Sequence, residues 1–158
     1  MLVIYYSFEG NTRFIAEQIA KVVNGDLLEL KPQYKNAPTN FLKYVWGGKQ
    51  VLMKQKPPLL PFDYNPQDYD FIFIGTPVWA FTYAPALATF FSSVRLHNKK
   101  IALFCCHGGV KGSTLKKMAD QLSGNEIVGK EDFVEPLRTH KEDKGTKAEK
   151  WAQELLVG

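Results

Sequence analysis

The stretch LVIYYSFEGNT, from Leu2 to Thr12, decides how this chain is read. Leu2 to Tyr6 is an apolar, β-branched and aromatic run, the composition of a strand covered on both faces. At Ser7 the character changes to hydroxyls, an amide and a glycine, ending at Thr12. From Arg13 to Val23 the residues Ile15, Ile19, Val22 and Val23 recur at i, i+4, i+7 and i+8, so they share one face of a helix. Glu17 and Lys21 are expected to pair at i, i+4 on its surface, and Asn24-Gly25 closes it as a C-cap. A strand, a polar turn and an amphipathic helix in direct succession form the first unit of an alternating α/β chain.

The alternation continues. Leu27 to Leu30 reads as a second strand, Phe71 to Gly75 (FIFIG) as a third, Lys100 to Cys105 (KIALFC) as a fourth, and Glu126 to Phe133 as a fifth. Helices are expected over 85–93, 113–122 and 144–157, the last with Ala148, Trp151, Ala152, Leu155 and Leu156 on one stripe. Between Lys31 and Asp68, Pro32, Pro38, Pro57, Pro58, Pro61 and Pro66 interrupt every pattern. A structureless loop of that length does not suit a compact domain, so one helix is expected over 40–53, with Trp46 buried under the segment. The predicted class is α/β: a three-layer, doubly wound, five-stranded parallel sheet. The 158 residues suit a single domain, 1–158, without internal repeats.

Composition narrows the function classes. With 45% hydrophobic and 23% charged residues, disorder, a collagen-like chain and a disulfide scaffold are excluded. No run approaches the roughly 20 apolar residues of a membrane span, and the opening lacks a basic segment before its apolar run, so no membrane or export segment is expected. Cys105 and Cys106 are the only cysteines and are adjacent, a poor arrangement for a structural bridge, which points to a reducing cytoplasm. They have no second Cys/His pair at ligand spacing, so no metal is expected. Twenty Lys and Arg against 16 Asp and Glu leave a net charge of +4, densest from Arg138 to Lys150. That excess reads as a solvated surface or as a docking face for an acidic partner. Nucleic acid is not expected, because no helix-turn-helix, zinc-finger or RNP pattern accompanies the charge.

In sheets of this kind, ligands bind outside the carboxyl ends of the strands. The loops after strands one, three and four are SFEGNT, TPVWAFTYAP and CHGGVKG. In the first, Ser7 and Thr12 supply hydroxyls, Asn11 an amide, and Gly10 a tight backbone, just ahead of a helix N-terminus. All of these donate to an anion, so a phosphate monoester is the natural guest. The plainer alternative is a helix cap by Asn11 or Thr12. GxxxxGK[ST] and GxGxxG are absent, the third strand ends Gly75-Thr76-Pro77 instead of in an acceptor Asp, and the first loop has no cysteine nucleophile. In the second loop Pro77 stiffens the backbone, Val78, Trp79 and Phe81 offer apolar surface for a flat ring, and Ala80 lets the backbone approach its edge. The alternative is that Trp79 and Phe81 are core residues. In the third loop, Gly108 and Gly109 allow N–H groups to turn towards a ligand, Cys105 points into the sheet as a small hydrophobe, and Cys106 reads as a reactive thiol or a metal ligand, the latter without the second Cys/His pair that zinc needs. His107 reads as a solvated loop residue before a proton donor. Arg138, Thr139 and His140 follow the last strand near the expected ligand edge.

On these residues the chain resembles the flavodoxins. SFEGNT is similar to their phosphate loop, Ser/Thr-x-x-Gly-Asn-Thr/Ser; GTPVWAFTYAPAL resembles the flavin-ring loop of the short, single-domain branch, and CCHGG stands at the second ring loop. The resemblance spans nearly the whole chain and implies strand order 2-1-3-4-5, one non-covalent FMN and electron transfer. It implies that Ser7, Phe8, Glu9, Gly10, Asn11 and Thr12 hold the phosphate. Thr76, Pro77, Val78, Trp79, Ala80 and Phe81, with Cys106, His107, Gly108 and Gly109, would bracket the ring. No catalytic side chain is expected, because the flavin carries the redox chemistry. Redox partner proteins and a monomer or weak dimer are expected. Two departures stand out: many flavodoxins are strongly acidic, and Cys-His replaces an aromatic often found in the third loop. The second leaves one ring face open and motivates an alternative, a small FMN-dependent NAD(P)H:quinone-type oxidoreductase.

Overall fold

The structure, a computed structural model, describes residues 1–33, 49 and 55–157. The helix expected over 40–53, Trp46 included, lies outside the described residues apart from Lys49. Among the described residues there are six strands: β1 (Leu2–Tyr5), β2 (Asp26–Glu29), β3 (Phe71–Trp79), β4 (Thr82–Tyr83), β5 (Lys100–His107) and β6 (Glu126–Val134). They are accompanied by the helices α1 (Asn11–Val23), α2 (Pro85–Ser93), α3 (Thr114–Asp120) and α4 (Lys141–Val157).

Five strands form one sheet in the order β2-β1-β3-β5-β6, each neighbouring pair parallel. Setting β4 aside, this is the expected order. Side chains on a strand alternate between faces, and here both faces are apolar. Leu2, Ile4, Ile72, Ile74, Ile101, Leu103 and Cys105 pack with Leu87 and Phe90 of α2 and Leu115 and Met118 of α3. Val3, Tyr5, Phe73, Ala102, Phe104 and Cys106 pack with Ile15 and Ile19 of α1 and Ala148 and Ala152 of α4. The helices on both faces make the three layers. The same alternation sends the adjacent Cys105 and Cys106 to opposite sides of the sheet, both as free thiols.

Three local differences from the sequence reading have physical causes. The third strand does not end at Gly75; it continues to Trp79 and turns back antiparallel, Val78 opposite Tyr83 and Trp79 opposite Thr82. Ala80 and Phe81 form the two-residue turn with φ of 47° and 61°, the signs of a type I′ hairpin. Such turns usually carry Asn-Gly, so this one has no sequence signature. Helix α1 begins at Asn11, two residues before the expected Arg13. Lys21 bonds across to Glu149 of α4 at 3.0 Å, not along its own helix to Glu17, because α1 and α4 lie side by side on one face. Among the described residues, no helix is long and apolar enough to cross a membrane.

Candidate functional site

The site starts where β1 gives out. Gly10 takes φ +92° as the N-cap of α1, a conformation a side chain disfavours. Phe14 N–H already bonds the Gly10 carbonyl at 2.9 Å, and no side chain caps the helix. Asn11 and Thr12 are therefore inside the helix, and the plain capping alternative does not hold. The leading N–H groups of a helix have no intrahelical acceptor, and their partial positive charge faces the loop.

Ser7 Oγ and Thr12 Oγ1 are buried with no hydrogen-bond partner among the described residues. The Thr12 hydroxyl neighbours the Cys106 thiol, too weak an acceptor to stand in for a hydrogen-bond partner. An unpaired buried hydroxyl costs about 1–3 kcal/mol, so two of them on one loop point to a guest that completes them. Asn11 Oδ1 accepts from Leu137 N–H at 3.0 Å, so its side chain presents its NH2 group as a donor.

These residues open into a cleft of about 430 Å³ lined by the phosphate-type loop, the β3–β4 hairpin and the ends of β5 and β6, within the roughly 300–1,000 Å³ range of small-molecule sites. Of the candidate site residues, Ser7, Phe8, Glu9, Asn11, Thr12, Pro77, Val78, Trp79, Ala80, Cys106, His107 and Gly108 line it. Trp79 stands edge-on to Tyr6 (5.8 Å) and Phe8 (5.5 Å), which makes one aromatic wall from the first two loops. It is half-buried, bracing the core edge and facing the cleft together.

Four predicted residues stand outside the lining. Gly10 serves by its backbone angle. Thr76 is fully buried, accepting from Ala84 N–H at 3.0 Å and donating to the Pro77 carbonyl at 2.9 Å, so it ties the hairpin to α2. Phe81 points outward, 63% exposed. Gly109 donates its N–H at 3.1 Å to His107 Nδ1 instead of turning it to the cleft.

His107 is not a solvated loop residue. It is the last residue of β5, its side chain only 5% exposed, with Nε2 2.9 Å from Asp132 Oδ2. Lys111 Nζ holds the other carboxylate oxygen at 2.5 Å. Burial pushes the Asp132 carboxyl up, but hydrogen bonds from Lys111 and His107 outweigh it and hold it below its ordinary value. Burial pushes the Cys105 thiol up to about 12 and raises that of Cys106 as well, so neither is a thiolate at neutral pH. Cys106 is thus a small hydrophobe in the cleft floor.

Two further residues line the cleft: Glu135 and Arg138. Position alone flagged Arg138 in the sequence. Glu135 carried no signal, because its place depends on a backbone φ of 39° and a bond from its N–H to the His107 carbonyl at 2.9 Å.

A doubly wound sheet with this loop, hairpin and cleft defines a flavodoxin-type domain. The flavodoxin family model matches residues 1–131. The chain belongs to the flavodoxin family. Among curated proteins no sequence matches it significantly. Among solved structures it is similar to a flavoprotein in complex with FMN from Lactobacillus acidophilus, at 21% identity over 89% of this chain and 95% of that one, TM-score 0.71. A protein described as a flavoprotein from Bacteroides eggerthii is 25% identical over 99% of this chain and 98% of its own, TM-score 0.74. Oxidised flavodoxin 2 from Bacillus cereus is 18% identical over 99% and 97%, TM-score 0.60. The residues present fit FMN, the cofactor the family implies: unpartnered buried hydroxyls for its phosphate and an aromatic wall for its ring.

Proposed function

We propose that this flavodoxin binds one FMN without a covalent link and works as an electron carrier between redox partner proteins in the cytoplasm. The observation that carries the reading is the pair of buried, unpartnered hydroxyls, Ser7 and Thr12, at the N-terminus of α1 in the same cleft as Trp79. Bound FMN supplies the redox chemistry there. Ser7, Thr12, the Asn11 amide and the first N–H groups of α1 bind the phosphate and set its position. Phe8, Val78 and Trp79 exclude water from the ring's side of the cleft, and Ala80 leaves the hairpin backbone close to it. His107 is engaged by Asp132 and Gly109, which supports a carrier over an enzyme that moves a proton at each turnover.

The test is a visible absorption spectrum of the purified protein, alone and titrated with FMN, followed by stepwise photoreduction. Flavin bands that reduce in two resolved one-electron steps are expected. Absence of FMN uptake overturns the cofactor assignment. Rapid turnover of NADH or NADPH with a quinone by the protein alone overturns the carrier role.

A further inference from the structure

We propose that Arg138 reads the charge of the flavin's phosphate, making the cleft selective for a phosphorylated flavin over uncharged riboflavin; this rests on the FMN reading above. The phosphate-type loop SFEGNT contains no basic side chain. Among the described residues lining the cleft, Arg138 is the only Lys or Arg, and the cleft also holds two carboxylates, Glu9 and Glu135. A dianionic phosphate entering beside two carboxylates meets repulsion that neutral hydroxyls do not cancel. A guanidinium attracts the phosphate directly and offsets part of that repulsion.

The turn that carries Arg138 is keyed to the phosphate loop at two adjacent residues. Leu137 N–H bonds Asn11 Oδ1 at 3.0 Å, and Leu137 Cδ1 lies 3.2 Å from where a Cβ on Gly10 would stand. The turn is fixed internally as well: Arg138 N–H bonds the Glu135 carbonyl at 2.9 Å, and Thr139 N–H bonds it at 3.2 Å. Arg138 therefore follows directly on the residue that touches the anion loop, and its side chain lines the same cleft as Ser7 and Thr12. Glu135 Oε1 holds one guanidinium nitrogen at 3.0 Å. A guanidinium has five N–H donors in a planar fork, so it can keep Glu135 and still offer its other edge to a phosphate. Glu135, held at φ 39°, is the positioning residue.

The experiment measures dissociation constants of the apoprotein for FMN and for riboflavin by flavin fluorescence, at low and high salt. Arg138→Gln is expected to weaken FMN about tenfold and riboflavin less than about twofold, a modest effect for a charge-assisted contact that is 65% exposed. The salt dependence of FMN binding should flatten in the same variant. Arg138→Lys, which keeps the charge, should retain at least half of the discrimination on a logarithmic scale. Equal losses for both flavins in Arg138→Gln, or none for either, would overturn the proposal. Wild-type protein that binds riboflavin and FMN equally overturns it while leaving flavin binding intact. Wild-type protein that binds neither overturns the FMN reading together with it.

Discussion

Removing the hydroxyls of Ser7 and Thr12 should move stability and ligand affinity in opposite directions. Both oxygens are buried without a partner, so each carries a desolvation cost of about 1–3 kcal/mol in the flavin-free protein. Ser7→Ala and the isosteric Thr12→Val remove that cost. Taking the low end for each, the apoprotein gains about 1 kcal/mol per substitution, which for a chain of this size raises Tm by roughly 2–4 °C. A hydrogen bond to a charged group contributes about 1.5–3 kcal/mol, so FMN affinity should fall roughly 10- to 150-fold per variant. Urea denaturation of the apoprotein gives the first quantity and a fluorescence titration with FMN the second. The stabilisation that saturating FMN gives should shrink in step, since it follows the affinity. An apoprotein that loses stability, joined to an unchanged FMN affinity, would refute the reasoning: the hydroxyls would then be packing groups.

Ala80 and Phe81 sit at φ 47° and 61° in the β3–β4 turn, each disfavoured by about 1–2 kcal/mol for an L-residue. Ala80→Asn with Phe81→Gly restores the usual type I′ pair and should raise apoprotein stability by about 1 kcal/mol in a thermal melt after the entropic cost of glycine is offset; a lower Tm counts against the strain. The Asp132 carboxyl is held below its unfolded value of about 3.9, so its pairing with Lys111 and His107 contributes stability above that pH. The contribution is lost as pH falls through the folded value. The stability difference between wild type and Asp132→Asn, from urea denaturation, should be about 1 kcal/mol at pH 7 and should shrink steadily as the pH is lowered below about 3.9; a difference that grows in acid would reverse the assignment. Cys105 is fully buried, Cys106 is 4% exposed, and both thiols are raised by burial. Iodoacetamide at pH 8 should therefore label neither in the native protein and both in urea; fast native labelling of Cys106 would contradict its place in the cleft floor.

The sequence by itself determined the class of fold and the nature of the first loop. Strand runs such as Leu2–Tyr5 and Lys100–His107 are apolar on both faces, and the helices between them are apolar on one. Burial on two sides of a strand and one side of a helix leaves that pattern in the sequence, so the three layers were legible, while the sheet order was implied only by the resemblance to the flavodoxins. The hydroxyl-amide-glycine composition of Ser7 to Thr12 was legible because an anion loop needs those groups within a few consecutive residues. What lay hidden depends on partners far apart in the chain. Lys21 chose Glu149 over Glu17, His107 was drawn to Asp132, and Leu137 reached Asn11 across 126 positions. The hairpin at Ala80-Phe81 was hidden for another reason, since tertiary packing imposes backbone angles there that its residues do not favour. Local periodicity records which faces are buried. The partners of each side chain, and the Glu135–Arg138 pair at the cleft, were decided only when the sheet brought the ends of β1, β3, β5 and β6 to one edge.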